Sequence, residues 1–162
     1  MKRVTPRIKI VKMKLKKFNE HFEKQTLVIS AFPGCGKSHF FRENKDKEVL
    51  DSDSSKFDKT HFPQNYIEHI KSNLGKVDII MVSSHKEVRD ELVKNRIPFT
   101  LVYPSPEIKK EYIQRYIDRG NTSTFVDLLN KNWDSWINEL EVQEGCNKIK
   151  LKEGQYLSDV IE

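Results

Sequence analysis

Residues 31–38 read Ala-Phe-Pro-Gly-Cys-Gly-Lys-Ser, and four of these positions have the chemistry to hold phosphate. Gly34 and Gly36 let the backbone turn its N–H groups toward an anion, Lys37 adds a mobile charge, and Ser38 offers a hydroxyl to a metal ion. Such loops usually open with glycine. Alanine at position 31 is the smallest departure, since the strand exit mainly needs a small side chain. Further on, Asp51 and Asp53 lie two residues apart in LDSDSS. In an extended backbone both carboxylates face the same way, which suits one to orient an incoming nucleophile and the other to hold metal-bound water. Which aspartate takes which task stays open, and the alternative is an Asx/Ser turn that only satisfies backbone donors. Arg115 and Arg119 are four apart on a helical pattern and would bring cations to a migrating phosphoryl group, an effect worth on the order of 10³ to 10⁵ in rate. Against that, Arg115 is also spaced to pair with Glu111, leaving Arg119 solvated. His85 and Arg89, at the start of another helical pattern, are placed to meet an acceptor phosphate or to be ordinary helix-start residues.

The elements that must position these groups alternate along the chain. Five apolar runs read as strands, at 26–31 (TLVISA), 48–51 (EVLD), 77–83 (VDIIMVS), 99–103 (FTLVY) and 148–151 (KIKL). The third is almost continuously apolar, as a strand covered on both faces should be. Ser84 is expected to cap a helix carrying Val88, Leu92 and Val93. Two helical patterns follow the fourth strand. The first, at 107–119, ends at Gly120 and carries Ile108, Tyr112, Ile113, Tyr116 and Ile117 on one side. The second, at 123–140, has an apolar stripe of Phe125, Leu128, Leu129, Trp136, Ile137 and Leu140. Trp136 is read as core rather than as a base-stacking residue, and Trp133 is left unassigned. Strands alternating with helices imply a parallel sheet with right-handed crossovers and ligands at the carboxyl ends of the strands. Every candidate group falls at such an end.

The chain has 162 residues, which suits one domain with a sizeable core. Its net charge of +5 is concentrated at one end. Residues 1–25 hold nine of the 29 basic groups and two of the 24 acidic ones, a net of +7, so the remainder carries −2. The basic N-terminal extension is read as a solvated leader, or alternatively as an arm resting on phosphate backbones or acidic membranes. With no run of eighteen apolar residues, a membrane span is not expected, and a cytoplasmic location is expected. Cys35 and Cys146 are too far apart in sequence to suggest a metal pair or disulfide framework. A thiol at a helix N-terminus tends toward a lowered pKa, so Cys35 is expected to make nucleotide binding sensitive to oxidants.

AFPGCGKS between a strand and a helix is the context of the P-loop motif. Together with VLDSDSS, VSSHKEVRDEL, FTLVYPSPEIKKEYIQRYIDRGN and LKEGQYLSDVI, it makes the chain from about residue 26 onward resemble small P-loop kinases of the nucleoside monophosphate kinase type. More narrowly, it resembles the adenylate-kinase-like or deoxynucleotide-kinase-like proteins of bacteriophages and related bacteria. The resemblance implies an α/β, three-layer P-loop NTPase fold with a five-stranded parallel sheet of order 2-3-1-4-5 and a short helical lid at about 104–122. It implies ATP and Mg²⁺ as cofactors, with Pro33, Gly34, Cys35, Gly36, Lys37, Ser38 and His39 against the nucleotide. Ser38 and Asp51 would hold Mg²⁺, directly or through water, and Asp51, Asp53, His85 and Arg89 would meet the acceptor. Lys37, Asp51, Asp53, Arg115 and Arg119 would carry the transfer. The chain departs from the family where SSHKEVR replaces a DGFPR-like segment, and its lid is short. The expected activity is ATP-dependent phosphorylation of a nucleotide, first a (deoxy)nucleoside monophosphate. The alternatives are a polynucleotide 5′-kinase, with nucleic acid as partner, and a regulatory module that binds ATP without transferring phosphate.

Overall fold

The protein is described here by a computed structural model covering residues 25 to 161. The basic N-terminal extension, apart from Gln25, lies outside the described residues. Strands β1 (Leu27–Ala31), β3 (Ile79–Val82) and β4 (Thr100–Pro104) are built from apolar residues that are almost all buried. Such runs occupy the middle of a parallel sheet because helices cover both faces. The edges are β2 (Val49–Asp51) and β5 (Asn147–Leu151). In β5, Ile149 and Leu151 turn inward while Lys148 and Lys150 remain exposed, the alternation of a strand covered on one face.

The strand order is β2-β3-β1-β4-β5 and every pairing is parallel, with Leu27 opposite Ile79, Val49 opposite Ile79, Ile29 opposite Thr100, and Thr100 opposite Asn147. The α/β fold and strand order expected from the sequence are those of the structure. Helices α1 (Lys37–Glu43), α2 (Gln64–Asn73), α3 (Lys86–Lys94), α4 (Lys109–Asp118), α5 (Ser123–Glu141) and α6 (Leu157–Val160) flank the sheet. Because all strands run the same way, the segments that leave β1, β2, β3, β4 and β5 open along one edge. Helix α2, held by buried Tyr66, Ile67 and Ile70, is not among the elements singled out by the sequence pattern.

Two local expectations are corrected. Helix α3 begins at Lys86 with His85 at the N-cap, and Ser84 does not cap it. The preceding Ser83 hydroxyl accepts instead from the His85 N–H at 3.1 Å. In α5 the inner face is Leu129, Trp133, Ile137 and Leu140, so Trp133 is the core residue and Trp136 is only half-buried. The apolar stripe is wider than the face that packs inward, and packing decides which edge of the stripe is covered. The Trp133 ring meets Phe32 edge-on at 5.8 Å and Tyr112 at 5.6 Å, while its Nε1 donates to the Pro106 carbonyl at 3.0 Å. Among the described residues no helix is long and apolar enough to cross a membrane.

Trp133→Ala is expected to destabilise the fold by about 3–5 kcal/mol in a denaturant titration, and Trp136→Ala by a clearly smaller amount. Equal losses would reverse this assignment of core and wall.

Candidate functional site

The glycine-rich loop is held by its carbonyl oxygens. Ala31 ends β1, and the Phe32 N–H donates to the Val102 carbonyl of β4 at 2.9 Å. The Pro33 carbonyl accepts from the Tyr116 hydroxyl at 2.7 Å, and the Gly34 carbonyl accepts from Arg115 Nη1 at 2.7 Å. The Cys35 carbonyl accepts from the Leu157 N–H at 2.7 Å, and the Gly36 carbonyl from the Phe40 N–H at 3.0 Å. Four successive carbonyls are drawn onto α1, α4 and α6 and the Cys35 N–H donates to the Phe32 carbonyl at 3.3 Å, while among the described residues the Gly34, Gly36 and Lys37 N–H groups have no backbone acceptor outside the loop, an arrangement suited to an anion nest. Gly34 and Gly36 both have φ of 92°, in the left-handed region. A Cβ at Gly34 would come within 3.0 Å of the Tyr112 and Tyr116 rings, and one at Gly36 within 3.0 Å of the Tyr156 ring. Glycine is therefore required by dihedral and by space at both positions.

Arg115 is the centre of this support. Its guanidinium is stacked between Tyr156 at 3.8 Å and Tyr112 at 4.4 Å from the ring centroids. Besides Gly34, it donates from Nη2 to Glu111 and to the Gln155 carbonyl at 3.1 Å. Glu111 in turn accepts from the Gly154 N–H at 3.0 Å, so one ion pair fastens α4, the loop and the C-terminal segment together. This corrects the expectation that Arg115 and Arg119 act as a pair on a mobile lid. Arg115 is buried and fixed under the loop, whereas Arg119 is exposed at the rim beyond α4 and bonded to the Asn121 side chain at 3.0 Å.

Cys35 is also corrected. Its thiol is fully buried, 3.6 Å from the Tyr112 hydroxyl and 3.8 Å from the Val102 carbonyl. Burial pushes its pKa up to about 11, overriding the smaller opposing effects of the Tyr112 hydrogen bond and the nearby Arg115 and Lys37 charges.

A cavity of about 1210 Å³ opens in front of the loop. Gly34, Gly36, Lys37, Ser38 and His39 line one side, and Asp51, Asp53, Ser83 and His85 line it where β2 and β3 end. The two aspartates differ. Asp53 Oδ1 accepts from the Ser55 N–H at 2.9 Å and the Ser55 hydroxyl at 2.7 Å, capping the short turn Ser54–Lys56. These bonds, with smaller contributions from Lys56 and Lys37, hold its carboxyl below the usual range. Asp51 makes no side-chain hydrogen bond among the described residues and is exposed to the cavity. The turn that holds them is pinned by residues that sequence reasoning missed. The Tyr66 hydroxyl donates to the Ser52 carbonyl at 2.6 Å and accepts from the Ser83 N–H at 3.0 Å, while the Ser52 hydroxyl meets His69 Nε2 at 2.8 Å. Their only sequence signal is helical spacing after LDSDSS.

Arg89 lines the cavity but is spoken for. Its side chain is only 4% exposed, with Nη2 on Glu139 at 2.8 Å, Nη1 on Gln143, and Nε on the Ser84 carbonyl at 2.8 Å. The expectation that it meets an acceptor phosphate gives way to a bridge between α3 and α5. Ser38, Asp51 and Asp53 are oxygen donors lining one cavity, the donor set that Mg²⁺ takes together with water; among the described residues no group of three His, Cys, Asp or Glu side chains is placed to hold a metal ion.

Arg115→Ala is expected to cost about 3–5 kcal/mol, because it strands Glu111 and the Gly34 carbonyl, whereas Arg119→Ala should stay within about 0.5 kcal/mol. Chemical denaturation distinguishes the two. In native protein, Cys35 is expected to resist iodoacetamide at pH 8, with Cys146 labelled first, as read by peptide mass spectrometry. The raised Cys35 pKa also has a sign. The folded thiol keeps its proton above the ordinary thiol value of 9.0, so its contribution to stability is present below about 9 and lost as pH rises to about 11. Stability that does not fall across that interval would contradict the burial.

The chain matches no known protein family in a scan of family models, and a search of curated proteins finds no significant relative.

Proposed function

We propose that this protein is an ATP-dependent phosphotransferase that passes the γ-phosphoryl group of ATP to a nucleotide-type acceptor, as in nucleoside monophosphate kinases. The observation that carries this is the loop nest, with Lys37 at its end, facing Asp51 and Asp53 across one cavity. A nest alone suits any bound phosphate. Carboxylates opposite it suit transfer, because they can orient a second reactant in line with the phosphate held by the nest.

The loop N–H groups and Lys37 would hold the β- and γ-phosphates. Ser38 would be the loop's metal ligand and Asp51 would hold metal-bound water or the acceptor. Bound Mg²⁺ supplies charge neutralisation on the phosphates. Arg119, exposed after α4 and held by the Asn121 side chain and the Tyr116 ring, would exchange those contacts for the migrating group. Arg115 has a different task, keeping the nest in shape before substrate arrives, which is the preorganisation that makes electrostatic stabilisation effective. A module that only binds ATP is the second possibility, and the opposed carboxylates count against it.

Lys37→Ala is expected to lower turnover at least about 100-fold with the fold intact, measured as ADP release against a panel of ribo- and deoxyribonucleotides and 5′-hydroxyl oligonucleotides. Unchanged turnover in a folded variant removes the loop from the mechanism. ATP binding with no acceptor-stimulated ADP release would favour the regulatory module.

A further inference from the structure

Helix α5 carries two tryptophans with different surroundings. Trp133 is fully buried and its Nε1 donates to the Pro106 carbonyl. Trp136, three residues on, is half-buried and lines the cavity. Among the described residues its ring pairs with no other aromatic ring and its indole N–H has no acceptor. An indole partly open to a cavity that also holds convergent polar groups is the lining of a small-molecule site, and its ring accepts a second flat ring by stacking. The cavity, at about 1210 Å³, is larger than the roughly 300–1,000 Å³ of a pocket for one small molecule, so two reactants have room in it.

The contacts of α5 fix where along the cavity this ring stands. Phe125, in the first turn, meets Tyr116 edge-on at 5.5 Å, and the Tyr116 hydroxyl is on the Pro33 carbonyl, so the start of α5 lies by the glycine-rich loop. Glu139, in the last turn, accepts from Arg89 Nη2 at 2.8 Å, and Arg89 Nε donates to the Ser84 carbonyl in the turn that leaves β3. Phe125 and Glu139 are 14 positions apart, roughly 20 Å of helix. Positions three apart on a helix are neighbours, so Trp136 stands next to Glu139, where β3 ends. The end of β2 adjoins that of β3, since Asp51 is opposite Met81 and the Ser52 N–H donates to the Met81 carbonyl at 2.9 Å. His85 and Lys86, exposed at the start of α3, line the same stretch and suit a phosphate on the bound molecule. Of the two reactants, the one that Asp51 and His85 meet is the acceptor, while the ATP phosphates belong to the loop.

We propose that Trp136 recognises the base of the acceptor nucleotide by stacking its indole on it, and so decides which acceptors are used. The inference rests on the phosphotransfer reading and deepens it. The acceptor must carry a planar heteroaromatic ring, and a sugar phosphate without a base is a poor substrate.

The chain has two tryptophans, so intrinsic fluorescence reports on this ring, and Trp136→Phe, which keeps only Trp133, is the control. The full chain is titrated with each ribo- and deoxyribonucleoside 5′-monophosphate and with ribose 5-phosphate as the baseless probe. The same panel is then offered with γ-labelled ATP. At least one monophosphate is expected to quench the native emission saturably and to be phosphorylated, while ribose 5-phosphate does neither and Trp136→Phe is not quenched. Trp136→Leu should raise KM for that acceptor about 10-fold or more, with KM for ATP within about 2-fold and kcat changed less than KM. Trp136→Phe, which keeps a stacking ring, should bring KM back to within about 3-fold of native. A monophosphate phosphorylated without Trp136-dependent quenching overturns the proposal and leaves the phosphotransferase standing. So does a rise in KM for ATP in place of the acceptor's, or ribose 5-phosphate used as well as the nucleotides. Lys37-dependent ATP binding, measured by calorimetry, with no member of the panel phosphorylated also overturns it. Absence of Lys37-dependent ATP binding brings down the phosphotransfer reading itself.

Discussion

The contact on which the site depends is Arg115 to the Gly34 carbonyl. A loop that points N–H groups at an anion must send its carbonyls the other way, and buried carbonyls need donors. Tyr116 and Arg115 of α4 and the Leu157 N–H of the C-terminal segment supply them from two separate parts of the chain. Arg115 also carries a full charge into the interior, and only Glu111 and two flanking rings make that tolerable. The loop's shape is thus a tertiary property. It exists because α4 and the C-terminal segment are packed behind it.

The same economy governs the rest of the cavity. Of the seven basic or acidic groups expected to act on substrate, two have structural partners that absorb them. Arg115 supports the loop, and Arg89 joins α3 to α5 through Glu139 and Gln143. Asp53 is shared between capping a turn and facing Lys37. What remains open to a ligand includes Lys37, Asp51, His85 and the rim residue Arg119.

Much of this was legible in the sequence. The continuous apolar runs of β1, β3 and β4 can only be strands covered on both faces, and their alternation with helices leaves few topologies. Gly34 and Gly36 in AFPGCGKS have the freedom the loop needs, and φ of 92° at both uses it. Less legible was any feature that depends on which side of a helix packs inward. Trp133 and Trp136 are three residues apart on a stripe broader than its contact, so composition alone does not say which ring is covered. The opposite fates of Arg115 and Arg119 have the same origin, since one helical turn separates a residue under the loop from one at the rim. Cys35 shows the limit of local rules. A helix N-terminus lowers a thiol pKa only when the thiol can be solvated, and burial here acts in the other direction.

By itself, then, the sequence determined the parallel α/β sheet and the place of the glycine-rich loop, because hydrophobic periodicity and glycine spacing act locally, while the order of strands was implied by the resemblance to small P-loop kinases. Tertiary structure alone decided which charges are spent on the fold and which face the cavity. The Arg89–Glu139 ion pair and the hydrogen bond from Arg115 to the Gly34 carbonyl join residues 50 and 81 positions apart. No local pattern encodes such pairings. They follow from the order in which strands cross the sheet and from the need of every buried charge for a partner.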